Sequence, residues 1–452
     1  MEITGPLEPI VAKFVEFVEG IFAASRDWPE QDQLYVAEHT VRAAMLEMAR
    51  IVLQKVVDSK RGGHRGQRWV DAEGQERTFK QYVTRLVETV VGVIKVRAAQ
   101  YHGAEAEPRT MVPHYQELGL PSGRYSRGME ELIALAGAQD VYREGLKLLN
   151  RLTGAAVSVH KAETTAGSWG TEAKERVHAD LERPESPAER IEATRPVAGL
   201  RQCITVDGVS VQTPGRWREA KLVAGYAFDA KGRKDGSVLY AGSLHYAEDF
   251  GDLVWHVMEQ TRASRAEDLA WLGDGAAWIW KLQETVAPHA VPIVDFYHAH
   301  ERLGILGRAL HPQATKARRW SRKWIKNLYL GKVNALIRAL DRLRKERGEP
   351  PKGCRDDEPR KLLADAHRYF VRNAHRMDYA AYRAKGYPIG SGVVESSCRH
   401  IVGLRMKRTA TMKWTERNAE AMIQLRCLRA SGEWDRFWGF DKLWAHIRAS
   451  VA

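Results

Sequence analysis

The stretch RQCITVDGVSVQ, residues 201–212, is rich in β-branched and apolar residues and has an Asp-Gly pair at its centre. This composition predicts a β-strand. An acid within an apolar strand is costly to bury unless it is paired or binds a cation. Asp-Gly is also a common turn pair, so a turn at the end of the strand is the alternative reading. The stretch therefore predicts a strand and marks Asp207 as a candidate functional residue.

The segments that follow this strand extend it to an α/β core. Short β-branched runs and amphipathic segments alternate in the order strand, strand, helix, strand, helix, strand, at residues 221–228, 237–245, 247–262, 269–272, 275–286 and 291–294. With the first strand, this order predicts a ribonuclease H-like core with a mixed five-stranded sheet and flanking helices. From 297 to 384 the pattern is helical without strands, which predicts a large all-α insertion.

The chain before the core is predicted to be mainly helical and to bind DNA. Residues 8–26 and 34–58 have helical spacing, 61–76 indicate a loop, and the β-branched run 89–96 could form a strand. Residues 126–170 have the spacing of a helix-turn-helix, with Asp140 and Ser158 as candidate caps; three packed helices without DNA contact are the alternative.

These patterns divide the chain into six segments. They are a helical region for dimerisation or DNA binding at 1–125, a helix-turn-helix-like region at 126–182, a Pro-containing linker at 183–199, the first part of the core at 200–299, the helical insertion at 300–385, and a core helix with C-terminal helices at 386–452.

Composition narrows the class of protein. The 452 residues are 44% hydrophobic and 28% charged, which is typical of globular proteins with several domains. A formal net charge of +13 favours a polyanionic partner such as nucleic acid. No apolar run is long enough to cross a membrane and the N-terminus lacks a signal-peptide pattern, so we expect a cytoplasmic protein without a membrane partner. The four scattered cysteines form no CxxC pair.

Two further acids, Asp274 and Glu395, occupy positions that are typical of functional sites. Asp274 lies in LGDGA, residues 272–276, at the carboxyl end of the fourth predicted core strand, where open α/β sheets place their sites. Glu395 lies in GSGVVESS, residues 390–397, in the first turn of the late core helix. The alternatives are a helix cap for Asp274 and a dipole-favoured acid for Glu395.

Three carboxylates from separate elements suit metal-dependent phosphoryl transfer. Two divalent ions about 4 Å apart can clamp the attacking and leaving oxygens of a phosphodiester. Carboxylate oxygens prefer Mg²⁺ or Mn²⁺ to zinc. We therefore expect Asp207, Asp274 and Glu395 to be catalytic and to hold two Mg²⁺ or Mn²⁺ ions.

Several motifs resemble the bacterial insertion-sequence transposases of the ISKra group, which belong to the Mutator-like DDE transposases. The resemblance covers most of 120–438 and is carried by TVDG (205–208), LGDGAAWIW (272–280), VDFYHA (294–299), RNAHRMDY (372–379), IGSGVVE (389–395) and LRCLRASG (425–432). It implies the same three catalytic acids and a helical insertion between the second and the third.

The resemblance implies metal-dependent DNA strand cleavage and strand transfer of an insertion sequence. Double-stranded DNA, as element ends and as target, is then the partner, and we expect a homodimer or a larger assembly on it. Relatives often carry a Cys-containing, zinc-like segment; residues 101–108 here have no Cys, so no zinc is expected. A nuclease or resolvase that only hydrolyses DNA and a non-catalytic DNA-binding regulator are the alternatives.

Two residues after the fifth strand are expected near the site. Asp295 and His298 are three apart and would share a helix face. The resemblance places a His of this kind near the active site. A capping Asp with a packed His is the alternative, and direct metal ligation by Asp295 is a weaker one.

Basic residues cluster in the insertion and after the catalytic Glu. We expect DNA contacts from Lys316, Arg318, Arg319, Arg322, Lys323, Lys326, Arg399, Arg405, Lys407 and Arg408, and from His160 and Lys161 at the start of the third helix of the helix-turn-helix. Such a charge run is also typical of a solvated helix face, which is the alternative.

Overall fold

The computed structural model describes residues 8–104, 106–181, 195–245, 247–409 and 411–451. The chain forms two compact units, Met1–Ala166 and Gly167–Ala452. The boundary between them falls inside the long helix α6, Val159–Leu181. Of the predicted linker 183–199, residues 183–194 lie outside the described residues, and the first core strand begins at Val197.

The N-terminal unit combines helices with an antiparallel sheet. Its elements are α1 Glu8–Ala24, α2 Gln33–Ser59, β1 Arg68–Val70, β2 Glu76–Thr89, β3 Gly92–His102, β4 Thr110–Met111, α3 Pro113–Glu117, α4 Arg127–Gln139, α5 Tyr142–Thr153 and the start of α6. The four strands pair in the order β1-β2-β3-β4. The prediction of a mainly helical region at 1–125 was therefore wrong for 68–111.

The β2–β3 hairpin explains this correction. In β3, exposed and buried side chains alternate from Val93 to Ala98, as expected for a strand with one packed face. The buried Ile94 and Val96 cluster with Val57 of α2. The run 89–96, interpreted as a possible strand, spans the turn and the beginning of β3. Gly92 adopts a φ of 119° at this turn, which an L side chain rarely tolerates.

Helices α4, α5 and α6 form the predicted three-helix arrangement. The Ser126 hydroxyl accepts the Met129 N–H at 3.2 Å and caps α4. Gly154 ends α5 with a φ of 72°, and the Ser158 hydroxyl accepts the Lys161 N–H at 3.3 Å at the start of α6. Val141 occupies the N-cap position of α5 and makes no side-chain cap bond, so the expected cap by Asp140 is not formed at that position. DNA binding by these helices stays a prediction.

The second unit contains the mixed five-stranded sheet that the sequence predicted. Its elements are β5 Val197–Thr213, β6 Arg216–Phe228, β7 Lys234–Ser243, α7 Ala247–Gln260, β8 Ala266–Gly273, α8 Ala277–Val286 and β9 Val291–Val294. The strand order is β7-β6-β5-β8-β9. β5, β6 and β7 are antiparallel, whereas β8 and β9 run parallel to β5.

Helices make up the rest of this unit. They are α9 Phe296–Leu310, α10 Ala314–Tyr329, α11 Val333–Arg347, α12 Pro359–Asn373, α13 Tyr379–Ala384, α14 Gly392–Ser397, a π-helical turn Cys398–Gly403, α15 Leu404–Met406, α16 Glu416–Ala430, α17 Trp434–Trp438 and α18 Phe440–Val451. The segment 296–391 is continuously described and contains no strand, as predicted. Within the part of the chain that the structure describes, no helix is long and apolar enough to cross a membrane.

Candidate active site

The sheet register brings Asp207 of β5 close to the end of β8, and Asp274 follows that end directly. Thr205 of β5 pairs in parallel with Leu272 of β8. Asp207 lies two positions beyond Thr205 within β5, whereas β8 ends at Gly273 and Asp274 is the first residue after it. Neighbouring strands are about 4.8 Å apart. The two carboxylates are close enough for the charge of Asp274 to raise the pKa of Asp207.

Asp274 begins a tight loop that the helical block supports. Its Oδ1 accepts the Ala276 N–H at 2.8 Å, and its backbone carbonyl accepts the Tyr369 hydroxyl at 3.0 Å. Gly275 has a φ of +101°, and a Cβ there would lie 2.5 Å from the Tyr369 ring. A glycine is therefore required, because only glycine combines this backbone angle with so close an approach.

Glu395 lies in the first turn of α14. It is exposed, and Cys398 follows it by three residues, so the two share one side of the helix. The Cys398 thiol donates to Asp207 Oδ2 at 3.3 Å. Burial raises the pKa of Cys398, and the charges of Asp207 and Glu395 raise it further. Glu395 therefore lies on the side of its helix that contacts Asp207.

The environment of Asp207 disfavours its charged form. Burial raises the pKa of this carboxyl, whereas the Gly208 N–H, at 2.7 Å, and the Cys398 thiol lower it by donating hydrogen bonds. The negative charge of Asp274 raises the pKa and a positive charge on His298 lowers it. The net direction is upward, so a cation beside Asp207 would relieve an existing electrostatic cost.

Asp295 lies in the core and all its contacts are internal. It is fully buried and caps α9, where Oδ1 accepts the N–H groups of Tyr297 and His298. Its Oδ2 accepts both the N–H and the hydroxyl of Ser391. Because both oxygens are occupied, Asp295 is suited to holding the loop before Glu395 rather than to binding metal. Half-buried His298 lies near Asp207.

The three acids do not form a closed metal site. Within the described ranges, no group of three or more His, Cys, Asp or Glu side chains is arranged to hold a metal ion. The paired carboxylates of Asp207 and Asp274, with the raised pKa of Asp207, nevertheless fit a hard divalent cation with oxygen ligands. Glu395, the third acid, is exposed on the helix that leads into Cys398.

The basic residues of α10 lie on one exposed face. Lys316, Arg318, Arg319, Arg322, Lys323 and Lys326 are all exposed, and none has an ion-pair partner among the residues described. Ala317, Ser321, Trp324 and Leu328 occupy the buried face of the same helix. The helix therefore presents unpaired positive charge to solvent.

The other predicted DNA contacts divide into exposed and buried residues. Arg399, Lys407 and Arg408 are exposed, and so are His160 and Lys161 at the start of α6. Arg405 is only 2% exposed and its guanidinium lies 4.9 Å from the centre of the Trp414 ring. The expectation that Arg405 contacts DNA was wrong, because a buried side chain cannot reach a phosphate.

Three residues at the site were absent from the sequence-based set. Cys398 contacts Asp207, Ser391 binds Asp295, and Tyr369 supports the Asp274 loop while lying 4.2 Å below the Arg302 guanidinium. The spacing of Cys398 from Glu395 could have indicated the first, but no local pattern indicates the other two.

Comparison with protein-family models finds no match for this chain, and no curated protein is significantly similar to it.

Proposed function

We propose that this protein is a DDE transposase, which cleaves DNA strands at the ends of an insertion sequence and joins them to target DNA. The observation that carries the proposal is the closeness of Asp207 on β5 to Asp274, the first residue after the adjacent parallel strand β8, beside the helix of Glu395. The strand order, with three antiparallel strands followed by two parallel to the first, supports a ribonuclease H-like core.

The proposed chemistry has two balanced steps. A water oxygen attacks the phosphorus at an element end, the bond from phosphorus to the 3′ oxygen breaks, and a free 3′-OH remains. That hydroxyl oxygen then attacks a target phosphodiester, and the bond to the target 3′ oxygen breaks. Mg²⁺ or Mn²⁺ held by Asp207, Asp274 and Glu395 would stabilise negative charge on the phosphate oxygens. A nuclease would perform the first step alone.

The residues of the site have different roles in the proposed reaction. Asp274 is fixed by its own loop and by Tyr369, and Asp207 is held by the Gly208 N–H and the Cys398 thiol. Asp295 holds the loop that precedes Glu395. The exposed cations of α10 supply phosphate contacts in the proposed complex, since their charge has no internal partner.

The test compares three amide variants with a matched control in the full-length protein. D207N, D274N and E395Q are assayed with Mg²⁺ on a plasmid carrying the DNA that flanks the native gene. Each should lower cleavage and joining by at least about 10²-fold, with DNA affinity maintained. Glu301→Gln, an exposed acid on α9, is the control and should retain activity.

Three results would change the proposal. Normal cleavage by all three amide variants would refute it. Normal cleavage by E395Q together with loss in D295N and an altered Mg²⁺ requirement would show that the third acid is misassigned. Cleavage without joining on a paired-end substrate would identify a nuclease instead.

A further inference from the structure

The β2–β3 ribbon of the N-terminal unit has two unlike faces. One is buried, with Val87, Ile94 and Val96 in a cluster that includes Val57 of α2. The other is open to solvent and consists of Tyr82, Thr84, Leu86, Val93, Lys95 and Arg97, all of which are exposed. Glu88 and Ala99, the cross-strand partners of Val93 and Tyr82, lie on the same side of the ribbon but are buried, so the exposed part of this side has no Asp or Glu. We call this surface the open face.

A β-bulge extends the open face with aromatic rings. The register shifts between Phe79 and Gln81, so Phe79 and Tyr82 lie on the same side of β2 with ring centroids 5.3 Å apart. His64 stacks on Tyr82 at 5.9 Å and 29°. The Arg97 guanidinium lies 3.8 Å from the Tyr82 ring centre. Arg97 therefore contacts an aromatic ring while staying exposed.

The loop that borders this face adds to its positive charge. Residues 60–67 (KRGGHRGQ), between α2 and β1, contain three Lys or Arg and no acid. His64 of this loop contacts Tyr82, so the loop adjoins the open face. Arg65 pairs with Glu117, but Lys95 and Arg97 have no ion-pair partner within the described part of the chain. The face thus carries positive charge that the protein does not neutralise.

We infer that the open face binds double-stranded DNA, with the β2–β3 ribbon in the major groove. That groove is about 12 Å wide and admits a two-stranded ribbon. Arg97 and Lys95 are suited to phosphate or guanine oxygens, and Tyr82, Leu86 and Val93 to thymine methyl groups. The choice of DNA as the polyanion rests on the proposed function, but the surface is formed by residues other than those of the active site.

The test measures how DNA affinity depends on salt. Full-length protein in EDTA is titrated onto a fluorescein-labelled 30-base-pair duplex of mixed sequence, with anisotropy followed at several KCl concentrations. K95A/R97A should bind more weakly and reduce the slope of log affinity against log salt by about 1.8, since each phosphate contact contributes about 0.9. R26A/K55A removes two exposed helical cations from the same unit and should keep the wild-type slope.

Two single-residue variants separate packing from charge. Tyr82→Ala should weaken binding without changing the salt slope, because no charge is lost. Arg97→Lys should keep the slope, since it retains the positive charge. Thermal unfolding confirms that each variant is folded.

Two outcomes would overturn the inference. One is an unchanged slope in K95A/R97A; loss of cleavage in D207N would then leave the transposase proposal standing. The other is preferential displacement of the labelled duplex by single-stranded DNA, which would make the face a single-strand surface. Conversely, if K95A/R97A shows the expected slope change while the wild-type protein never cleaves DNA, that result would refute the proposed transposase activity and support DNA binding by the open face.

Discussion

Asp295 accepts hydrogen bonds from both the N–H and the hydroxyl of Ser391, a residue that lies four positions before Glu395. Asp295 is fully buried and also caps α9. A further bond, from the Phe296 N–H to the Ile389 carbonyl at 2.8 Å, joins the same two segments. The start of α9 therefore determines where the helix of Glu395 begins, through an acid that is saturated by internal donors.

Removal of the Ser391 hydroxyl should weaken this connection. We expect Ser391→Ala to lower the free energy of unfolding by about 1.5–3 kcal/mol, the usual contribution of a hydrogen bond to a charged group. Cleavage should fall, while the Mg²⁺ concentration for half-maximal activity stays unchanged. Urea denaturation and a metal titration measure the two effects. Ser396→Ala, an exposed serine on the same helix, is the control, and equal behaviour of both variants would contradict the positioning role.

Neutralising the basic face of α10 should weaken DNA binding at all sequences. Replacing Arg318, Arg319, Arg322 and Lys323 together by Ala should lower the salt slope by up to about 3.6, if each contacts one phosphate. Binding isotherms at several salt concentrations provide the measurement. A variant with Lys at the three arginine positions keeps the charge and should keep the slope. An unchanged slope in the alanine variant would show that this face is a solvated helix face that makes no phosphate contacts.

Arg405 and Arg399 should behave differently despite their closeness in sequence. Arg405 is buried against Trp414, whose indole N–H donates to the Met406 carbonyl at 3.2 Å. Arg405→Ala should therefore lower stability, by about 1–3 kcal/mol, and leave the salt slope of DNA binding unchanged. Arg399→Ala removes an exposed charge, so it should lower the salt slope of DNA binding and leave stability unchanged. A reduced slope in a fully folded Arg405→Ala protein would restore the original DNA-contact hypothesis.

The ion pair of Asp71 and Arg77 should stabilise the N-terminal unit in a pH-dependent way. The two side chains are 0% and 1% exposed and lie 2.6 Å apart. Burial raises the pKa of Asp71, but hydrogen bonds from Arg77 and the Gln75 N–H outweigh it and leave the pKa below its ordinary value. The stabilisation is therefore complete above the ordinary Asp pKa and is lost as pH falls through the lowered one.

Asp71→Asn tests this pair. At pH 7 it should lower the Tm of the unit by several degrees, because the Arg77 charge stays buried without its counter-ion. The difference from wild type should shrink in acid, as wild-type Asp71 also becomes protonated. Circular dichroism melts between pH 2 and 7 follow both proteins. A difference that is constant across this range would contradict the electrostatic explanation.

Local sequence patterns are sufficient to predict the helices and strands of the second unit. The strand content of RQCITVDGVSVQ, the Asp after the β8 segment and the long helical block at 300–385 follow from periodicity and turn residues, which are properties of neighbouring positions. The amphipathic pattern of α10 likewise predicts which side is basic. These features depend on residues a few positions apart, so the sequence by itself was sufficient.

Tertiary structure decided what depends on residues distant in the chain. Of the N-terminal sheet only a possible strand at 89–96 was predicted, because the pairing of its strands joins residues that are distant in sequence, such as Thr78 and His102. The Arg405 side chain is buried against Trp414, and the hydrogen bond between Asp295 and Ser391 joins residues 96 positions apart. Whether a charge is buried, and which donor satisfies it, is determined only when such segments pack, since burial and hydrogen bonding are properties of contacts rather than of spacing.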